Sequence, residues 1–408
     1  MRKKILFVIN TFSRAGAETA LLDLLRKLEE LDRESEEKKY DISLFVLMGQ
    51  GELASQLPES VHLLNKNYCM ESVLESRGKR HMIGTVLKSL LRRGNAFRLA
   101  GYMMRAYRQM RRKGIVRWDK ILWRALSDGA ERPDETYDLA IAFLEGGSAY
   151  YVADHVRAKK KAAFIHIDYE KAGYSRELDR DCYMKYDELF PIGEQVRRQF
   201  EKVYPECADR THIFHNVINV DKICARAQEK GGFSDIYNGI RILTVGRLTE
   251  QKAYPVAIEA MHILKQQGVK ARWYVLGEGP EREKLEQQIR KDDLQEDFLL
   301  LGATDNPYPY FAQTDIYVHA TGFEGKSIAI QEAQILGCPI VASDINWEQI
   351  EDGKDGLICA LDAKDVARAV RSLIDDPDKR AQMGKAALQK MVSFTEDIQL
   401  LDELLADE

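Results

Sequence analysis

The chain has 408 residues, enough for two domains of ordinary size, and is 45% hydrophobic and 31% charged with only 10 Pro. That is a globular composition, and no stretch reaches the ~18–20 consecutive apolar residues that a membrane span requires. The net charge of −5 hides a block from Arg77 to Arg124 with fifteen Lys or Arg against one acid, Asp119, which calls for an anionic partner or surface.

The start, MRKKILFVINTF, is basic and then apolar, but its apolar run is too short for a secretory signal. KILFVI (4–9) is expected to be the first strand, followed by a helix over 17–31 and a second strand, DISLFVLM (41–48). The basic segment over 81–114 reads as helical. DLAIAFLE (138–145), KAAFIHI (161–167) and DELFPIG (187–193) are later strands. Past FHNVINVD (214–221) the alternation is cleaner. Strands are expected at 240–246, 271–277, 297–302, 315–320 and 339–343, and helices at 254–267, 281–291, 327–336, 365–375 and 379–391. Strands separated by helices of this length imply parallel sheets covered on both faces. The expected fold class is α/β, with two Rossmann-like domains, 1–215 and 216–393. A last helix within 394–408 is expected to pack back on the first domain.

In doubly wound sheets, ligands bind outside the carboxyl ends of the strands. Four successive strand ends of the second half carry glycine, fixed positive charge or carboxylate. Gly246 and Arg247 end one strand, with Lys252 close behind. Gly277 and Gly279 end the next, Gly302 ends the third, and Glu324 follows the fourth. Arg as a fork and Lys as a point charge suit a diphosphate. A helix starting near Lys326 or Ser327 adds N–H groups and the positive dipole end. Each feature alone has an ordinary explanation: a surface salt bridge for Arg247, a plain helix start after Gly279, a paired core carboxylate for Glu332. Their joint spacing is what singles them out.

VGRLTEQKAYPVAIEA, WYVLGEGPEREKLE and the Glu-x7-Glu from Glu324 to Glu332 in EGKSIAIQEAQILGCPIVASD resemble glycosyltransferase family 4. These are retaining, nucleotide-sugar-dependent enzymes of the GT-B fold, with two Rossmann-like domains facing across a cleft. SRAGAET (13–19) resembles the family's glycine-rich first loop, with Ala15 for its first glycine. FIHIDY (164–169) puts His166 where the family has an active-site histidine. By position, the resemblance implies that Arg247 and Lys252 bind the donor diphosphate, beside Gly246, and neutralise the leaving group. Glu332 takes the ribose hydroxyls. Glu324, with the backbone of Gly325, Lys326 and Ser327, meets the donor sugar. Gly16 lets the first loop approach the diphosphate, His166 faces sugar and acceptor, and Gly302 and Ala303 meet the base. Lys326 departs from the aromatic or apolar residue usual there. Eight residues of helix rise about 12 Å, comparable with the sugar-to-ribose span.

The resemblance further implies transfer with retention, no cofactor and no essential metal, and a UDP-sugar is the expected donor. The six cysteines lack C-x-x-C spacing, and the eight histidines form no H-E-x-x-H pair. The one D-x-D, Asp179 to Asp181, reads as surface charge. The basic block interleaves Met, Leu, Ile, Phe and Tyr with Arg and Lys, as in helices that lie on anionic membranes. Cytoplasmic location at the inner face of the membrane and a glycan or lipid-linked saccharide acceptor are therefore expected, and a nucleic-acid partner is not. A non-catalytic nucleotide-sugar-binding subunit is the competing reading. A nicotinamide oxidoreductase is disfavoured, because no G-x-G-x-x-G follows the first strand.

Overall fold

The computed structural model describes residues 2–35, 38–72, 75–92, 95, 97–104, 118–390 and 395–406. The chain divides into two compact units, Met1–Ile218 with Phe394–Glu408, and Asn219–Ser393.

The first unit is built on six parallel strands in the order β3-β2-β1-β4-β5-β6. They are β1 (Lys3–Ile9), β2 (Tyr40–Val46), β3 (Val61–Leu63), β4 (Thr136–Ala142), β5 (Arg157–Ile165) and β6 (Glu188–Pro191). Ile5 to Ile9 in β1 are wholly buried, the pattern of a central strand covered on both faces. Helix α1 (Gly16–Glu34) covers it with Leu21, Leu24, Leu25 and Leu28, one stripe at helical spacing. Helices α2 (Ser76–Leu91), α3 (Trp118–Gly129), α4 (Gly147–His155) and α5 (Glu194–Val203) are among those that follow. The final helix (Gln399–Ala406) docks on this unit with Leu401, Leu404 and Leu405. Its Asp402 accepts from the Tyr40 hydroxyl, and Asp397 accepts from the His215 backbone N at 2.7 Å and Nδ1 at 2.8 Å.

The second unit repeats the plan in the order β12-β11-β10-β7-β8-β9. These strands are β7 (Ile240–Val245), β8 (Ala271–Leu276), β9 (Phe298–Gly302), β10 (Ile316–His319), β11 (Ile340–Ser343) and β12 (Leu357–Cys359). Helices α6 (Val220–Ala227), α7 (Tyr254–Gln266), α8 (Arg282–Lys291), α9 (Tyr308–Ala312), α10 (Ile328–Ile335), α11 (Ala363–Asp375) and α12 (Pro377–Gln389) cover it. Trp273 on β8 is wholly buried, and its indole N–H donates to Thr244 Oγ1 at 2.9 Å. That hydroxyl donates onward to the Val318 carbonyl at 2.8 Å, tying three strands together. Numbered within each unit, both sheets run 3-2-1-4-5-6, which reverses direction between the first and fourth strands. The switch points are therefore β1/β4 and β7/β10, and loops leaving those strands border the ligand crevice of each sheet.

The Asp179–Asp181 pair does not lie on the surface as expected. Asp181 is exposed, but Asp179 is wholly buried. Its carboxyl accepts from the Tyr150 hydroxyl at 2.5 Å, with Tyr204 at 3.4 Å, while Arg124 donates to its backbone carbonyl at 2.6 Å. Two successive residues with positive φ, Arg180 and Asp181, turn the chain so that only the first acid points inward. Burial raises the Asp179 carboxyl from 3.8 to about 7, outweighing the Tyr150 hydrogen bond and the Arg124 charge. A value raised by folding means that the stability it carries is full below pH 3.8 and is lost as pH climbs to about 7. Asp179→Asn, which mimics the protonated group, should remove that dependence, worth on the order of a few kcal/mol. Thermal melts between pH 4 and 8 check this: the variant should gain on the native chain as pH rises, and parallel profiles would count against it.

Candidate active site

In the second unit, the chain leaves β7 through Gly246, Arg247 and Leu248 and makes a short 3-10 turn over Glu250–Lys252. The loop after β8 lies directly against it. A Cβ on Gly277 would sit 1.9 Å from the Gly246 carbonyl oxygen, and one on Gly279 would sit 2.3 Å from that of Leu248. These glycines are thus needed for close backbone approach, and φ of +153° at Gly277 reinforces the need. The G-x-G here packs two loops so that Arg247 stands exposed at the rim.

Lys252 and Glu324 come from the two strands flanking the switch point and meet there. Lys252 Nζ lies 2.6 Å from Glu324 Oε1, with the two side chains 14% and 17% exposed. His319, the last residue of β10 and almost wholly buried, places Nε2 2.6 Å from Glu324 Oε2 and 3.4 Å from Lys252 Nζ. Its Nδ1 lies 2.9 Å from the Tyr317 hydroxyl. Burial would raise the Glu324 carboxyl, but Lys252 and His319 outweigh it and hold it at about 2. Burial, aided by Lys252, lowers His319, against the pull of Glu324. The cluster therefore holds an ionised carboxylate, an ammonium and a neutral imidazole.

Hydrogen bonds lock the two loops together. Gln251 O accepts from Thr321 Oγ1 at 3.0 Å and from the Gly322 N–H at 2.9 Å, and Gln251 Nε2 donates to Phe323 O at 2.7 Å. Helix α10 begins at Ile328, so only part of the Glu324–Glu332 interval is helical and the expected 12 Å rise does not apply across it. Gly325 and the partly buried Lys326 lie in the loop between Glu324 and the helix. Ser327 is buried, and its N–H donates to Gln349 Oε1 at 2.6 Å while Gln349 Nε2 returns a bond to Ser327 O at 2.8 Å. The expected sugar contact through the Ser327 amide is thus taken by Gln349, and Ser327 holds the loop instead. Glu332 lies on α10, with Oε1 3.1 Å from the Tyr308 hydroxyl. Gly302 ends β9 with φ of +86°, and Ala303 follows it exposed.

In the first unit, exposed Gly16 opens α1 just after β1. Asn10, at the end of β1, donates to Glu145 O at 3.0 Å and accepts from Ser148 N at 2.7 Å, bracing the β1/β4 switch point. The buried carboxylate of Glu145 receives the backbone N–H groups of His166 and Ile167, the latter at 3.1 Å. Burial raises its carboxyl, against those N–H groups. The His166 ring packs against Phe143 and Phe164, with centroids 5.0 and 5.9 Å away. Burial drives it down to about 3, so it is neutral at ordinary pH, and its buried Nε2 has no hydrogen-bond partner. Among the described residues, no three His, Cys, Asp or Glu side chains converge as a metal site.

Sequence reasoning missed His319, Tyr308, Gln349, Asn10 and Glu145. The position of His319 at the end of DIYVHA was the one available signal. The others act through partners distant in sequence.

Two six-stranded doubly wound sheets in tandem place the chain in the GT-B fold class. The glycosyl transferases group 1 family model matches residues 234–390, which lie within the second unit. A Campylobacter jejuni N-acetylgalactosamine-N,N'-diacetylbacillosaminyl-diphospho-undecaprenol 4-alpha-N-acetylgalactosaminyltransferase is 28% identical over 216 residues, 52% of this chain and 57% of that protein. A Bacillus subtilis poly(glycerol-phosphate) alpha-glucosyltransferase is 25% identical over 231 residues, 56% of this chain and 33% of that protein. The chain thus spans about half, or less, of the length of these curated relatives. HepE from Anabaena, solved in complex with UDP-glucose, superposes over 100% of both chains with a TM-score of 0.70 at 16% identity.

The Lys252–Glu324 pair is sufficiently buried that removing one partner strands the other. Lys252→Met should destabilise the chain by about 3–5 kcal/mol, and adding Glu324→Gln should restore much of that. A denaturant double-mutant cycle measures it. The depressed Glu324 carboxyl stabilises fully above pH 4.5, with loss as pH falls toward about 2, so the coupling should persist from pH 5 to 8.

Proposed function

We propose that the chain transfers a sugar from a nucleotide-sugar, with a UDP-sugar first in line, to a hydroxyl of a glycan or lipid-linked saccharide in bacterial surface-glycan synthesis. The observation that carries this is the Lys252–Glu324 pair at the β7/β10 switch point, with Arg247 exposed on the same loop. Arg247 and Lys252, beside Gly246, hold the diphosphate. An ammonium has three N–H donors, so Lys252 can keep Glu324 and still reach a phosphate oxygen. Glu324 and the backbone of Gly325 and Lys326 orient the sugar. Glu332, its carboxylate steadied by Tyr308, takes the ribose hydroxyls, and Gly302 and Ala303 meet the base. Gly16 admits the diphosphate to the first loop. In the first unit, His166 offers a neutral, buried Nε2 to a sugar or acceptor hydroxyl.

In this reading, configuration is retained. The acceptor hydroxyl attacks on the face that the diphosphate leaves, and the departing phosphate takes its proton. No essential metal is required, because positive charge fixed beforehand at Arg247, Lys252 and the α10 N-terminus meets the developing charge. HepE, solved with UDP-glucose, and the C. jejuni relative, whose name specifies a diphospho-undecaprenol acceptor, support the donor and acceptor classes. A non-catalytic sugar-nucleotide-binding subunit on the same fold is less well supported, since Arg247, Lys252, Glu324 and Glu332 are all present.

The acceptor's lipid is proposed to bring the chain to an anionic membrane surface through α2. Ile83, Leu87 and Leu91 form an exposed stripe at four-residue spacing, 55%, 54% and 81% exposed, with exposed Phe97 and Met104 beyond. Arg77, Lys79, Arg80, Lys88, Arg92 and Arg98 flank them. The basic block is not uniform, however. Arg124 is buried against Asp154, and Lys120 Nζ lies over the Tyr174 ring. Residues 93, 94, 96 and 105–117 lie outside the described residues.

Thermal stabilisation against UDP-, GDP-, ADP- and dTDP-sugars without metal tests the donor. Saturating UDP-sugar at a hundred times its Kd should add about 2.7 kcal/mol, and Arg247→Ala should remove most of that. No response to any donor would sink the reading. For the surface, the native chain should float with anionic vesicles and not with neutral ones, and Leu87→Asp with Leu91→Asp should abolish this. Equal recovery of both proteins would refute it.

A further inference from the structure

We propose that His319 is a positioning residue: its fixed Nε2–H tautomer pins Glu324 in the one orientation that serves the donor sugar. This rests on the nucleotide-sugar reading above. The geometry decides the tautomer. Glu324 is ionised and cannot donate, so the 2.6 Å contact to its Oε2 requires a proton on His319 Nε2. The neutral ring then has its lone pair on Nδ1, where the buried Tyr317 hydroxyl at 2.9 Å supplies a proton. The chain of donation runs Tyr317 to His319 to Glu324.

The groups facing His319 are few. Tyr317 lies on its own strand, Lys252 on the loop after β7, and Glu324 on the loop after β10. Tyr254 at the start of α7 turns its hydroxyl to Gly246 O at 2.7 Å. A second proton on the ring would put a cation 3.4 Å from Lys252 Nζ, which disfavours it. The two carboxylate oxygens are thus gripped from different sides, Oε1 by the Lys252 ammonium and Oε2 by the His319 N–H. With either grip gone, the carboxylate can rotate on its side-chain bonds. Lys252 alone does not fix it, because an ammonium is a near-isotropic partner on a flexible stem. The imidazole, held at both nitrogens inside the sheet end, supplies the direction.

Two measurements on the full chain test this. The first needs no activity. Two-bond proton–nitrogen spectra of chain labelled at its eight histidines, with His319 assigned by its loss in His319→Gln, should show a neutral Nε2–H ring from pH 5 to 8. An Nδ1–H ring, or an imidazolium within that range, overturns the proposal. The second is a split of kinetic constants. His319→Leu should bind UDP as the native chain does, with little change in KM for the donor, but lose about 10²-fold in kcat. His319→Gln, whose side-chain amide can replace the Nε2–H, should recover most of it. A folded His319→Leu with native kcat overturns the proposal. Failure of the native chain to bind any UDP compound would instead bring down the donor reading, leaving the spectrum to decide the tautomer.

Discussion

The contact on which the second unit's chemistry depends is the one between Lys252 and Glu324. It joins the loops of two strands that are adjacent in the sheet but about seventy residues apart in sequence, at the place where the sheet's winding reverses. A doubly wound sheet separates the helices on its two faces at this point and leaves a gap no side chain of the core fills. Everything nearby serves to hold the pair in that gap. Gly277 and Gly279 bring the β8 loop under the Arg247 loop, Gln251 stitches the Lys252 turn to the Glu324 loop, and Gln349 takes both backbone groups of Ser327. The constraint is steric as much as electrostatic: a single Cβ on Gly277 would sit 1.9 Å from the Gly246 carbonyl oxygen, at the start of the loop that carries Lys252.

The first unit uses the same topology with opposite chemistry. Its switch point holds Asn10 and a buried glutamate, Glu145, whose side chain is consumed by backbone N–H groups. His166, oriented by those bonds, is neutral and packed on aromatic rings. One sheet end therefore presents ammonium and guanidinium, the other an uncharged acceptor nitrogen. Aromatic residues crowd around His166, and lowering the local dielectric keeps the imidazole unprotonated.

Much of the fold was legible because parallel strands buried on both faces are continuous apolar runs, such as ILFVI and IYVHA, that no surface helix mimics. β3 and β12 escaped because three residues carry no periodicity. The short helix α4, GSAYYVADH, escaped because its fully buried face has no polar stripe to mark it. At the site, glycine, lysine and glutamate could be singled out by their places at strand ends. Tyr308 and Gln349 could not, because each acts on a residue more than twenty positions away. The misjudged Asp179 shows the limit most clearly. A charge flanked by charges reads as solvated, and only the two left-handed residues after it, which the sequence does not announce, turn it into an aromatic core.

The electrostatics of the cluster also explain why a glutamate belongs beside a lysine proposed to bind phosphate. Lys252 and Glu324 together are neutral, and so is His319, so the cluster itself adds no net charge beside exposed Arg247 and the α10 N-terminus, which is equivalent to about half a positive charge. The buried pair instead contributes direction. Its two members fix each other's position in a region of low dielectric, where a small displacement changes the interaction with a neighbouring charge far more than it would in water. In the proposed reading, the exposed arginine then governs how strongly an anion is held, and the buried lysine and glutamate govern where its reacting bond lies. Separating those two tasks onto differently buried residues lets affinity be tuned at the rim without disturbing the geometry within.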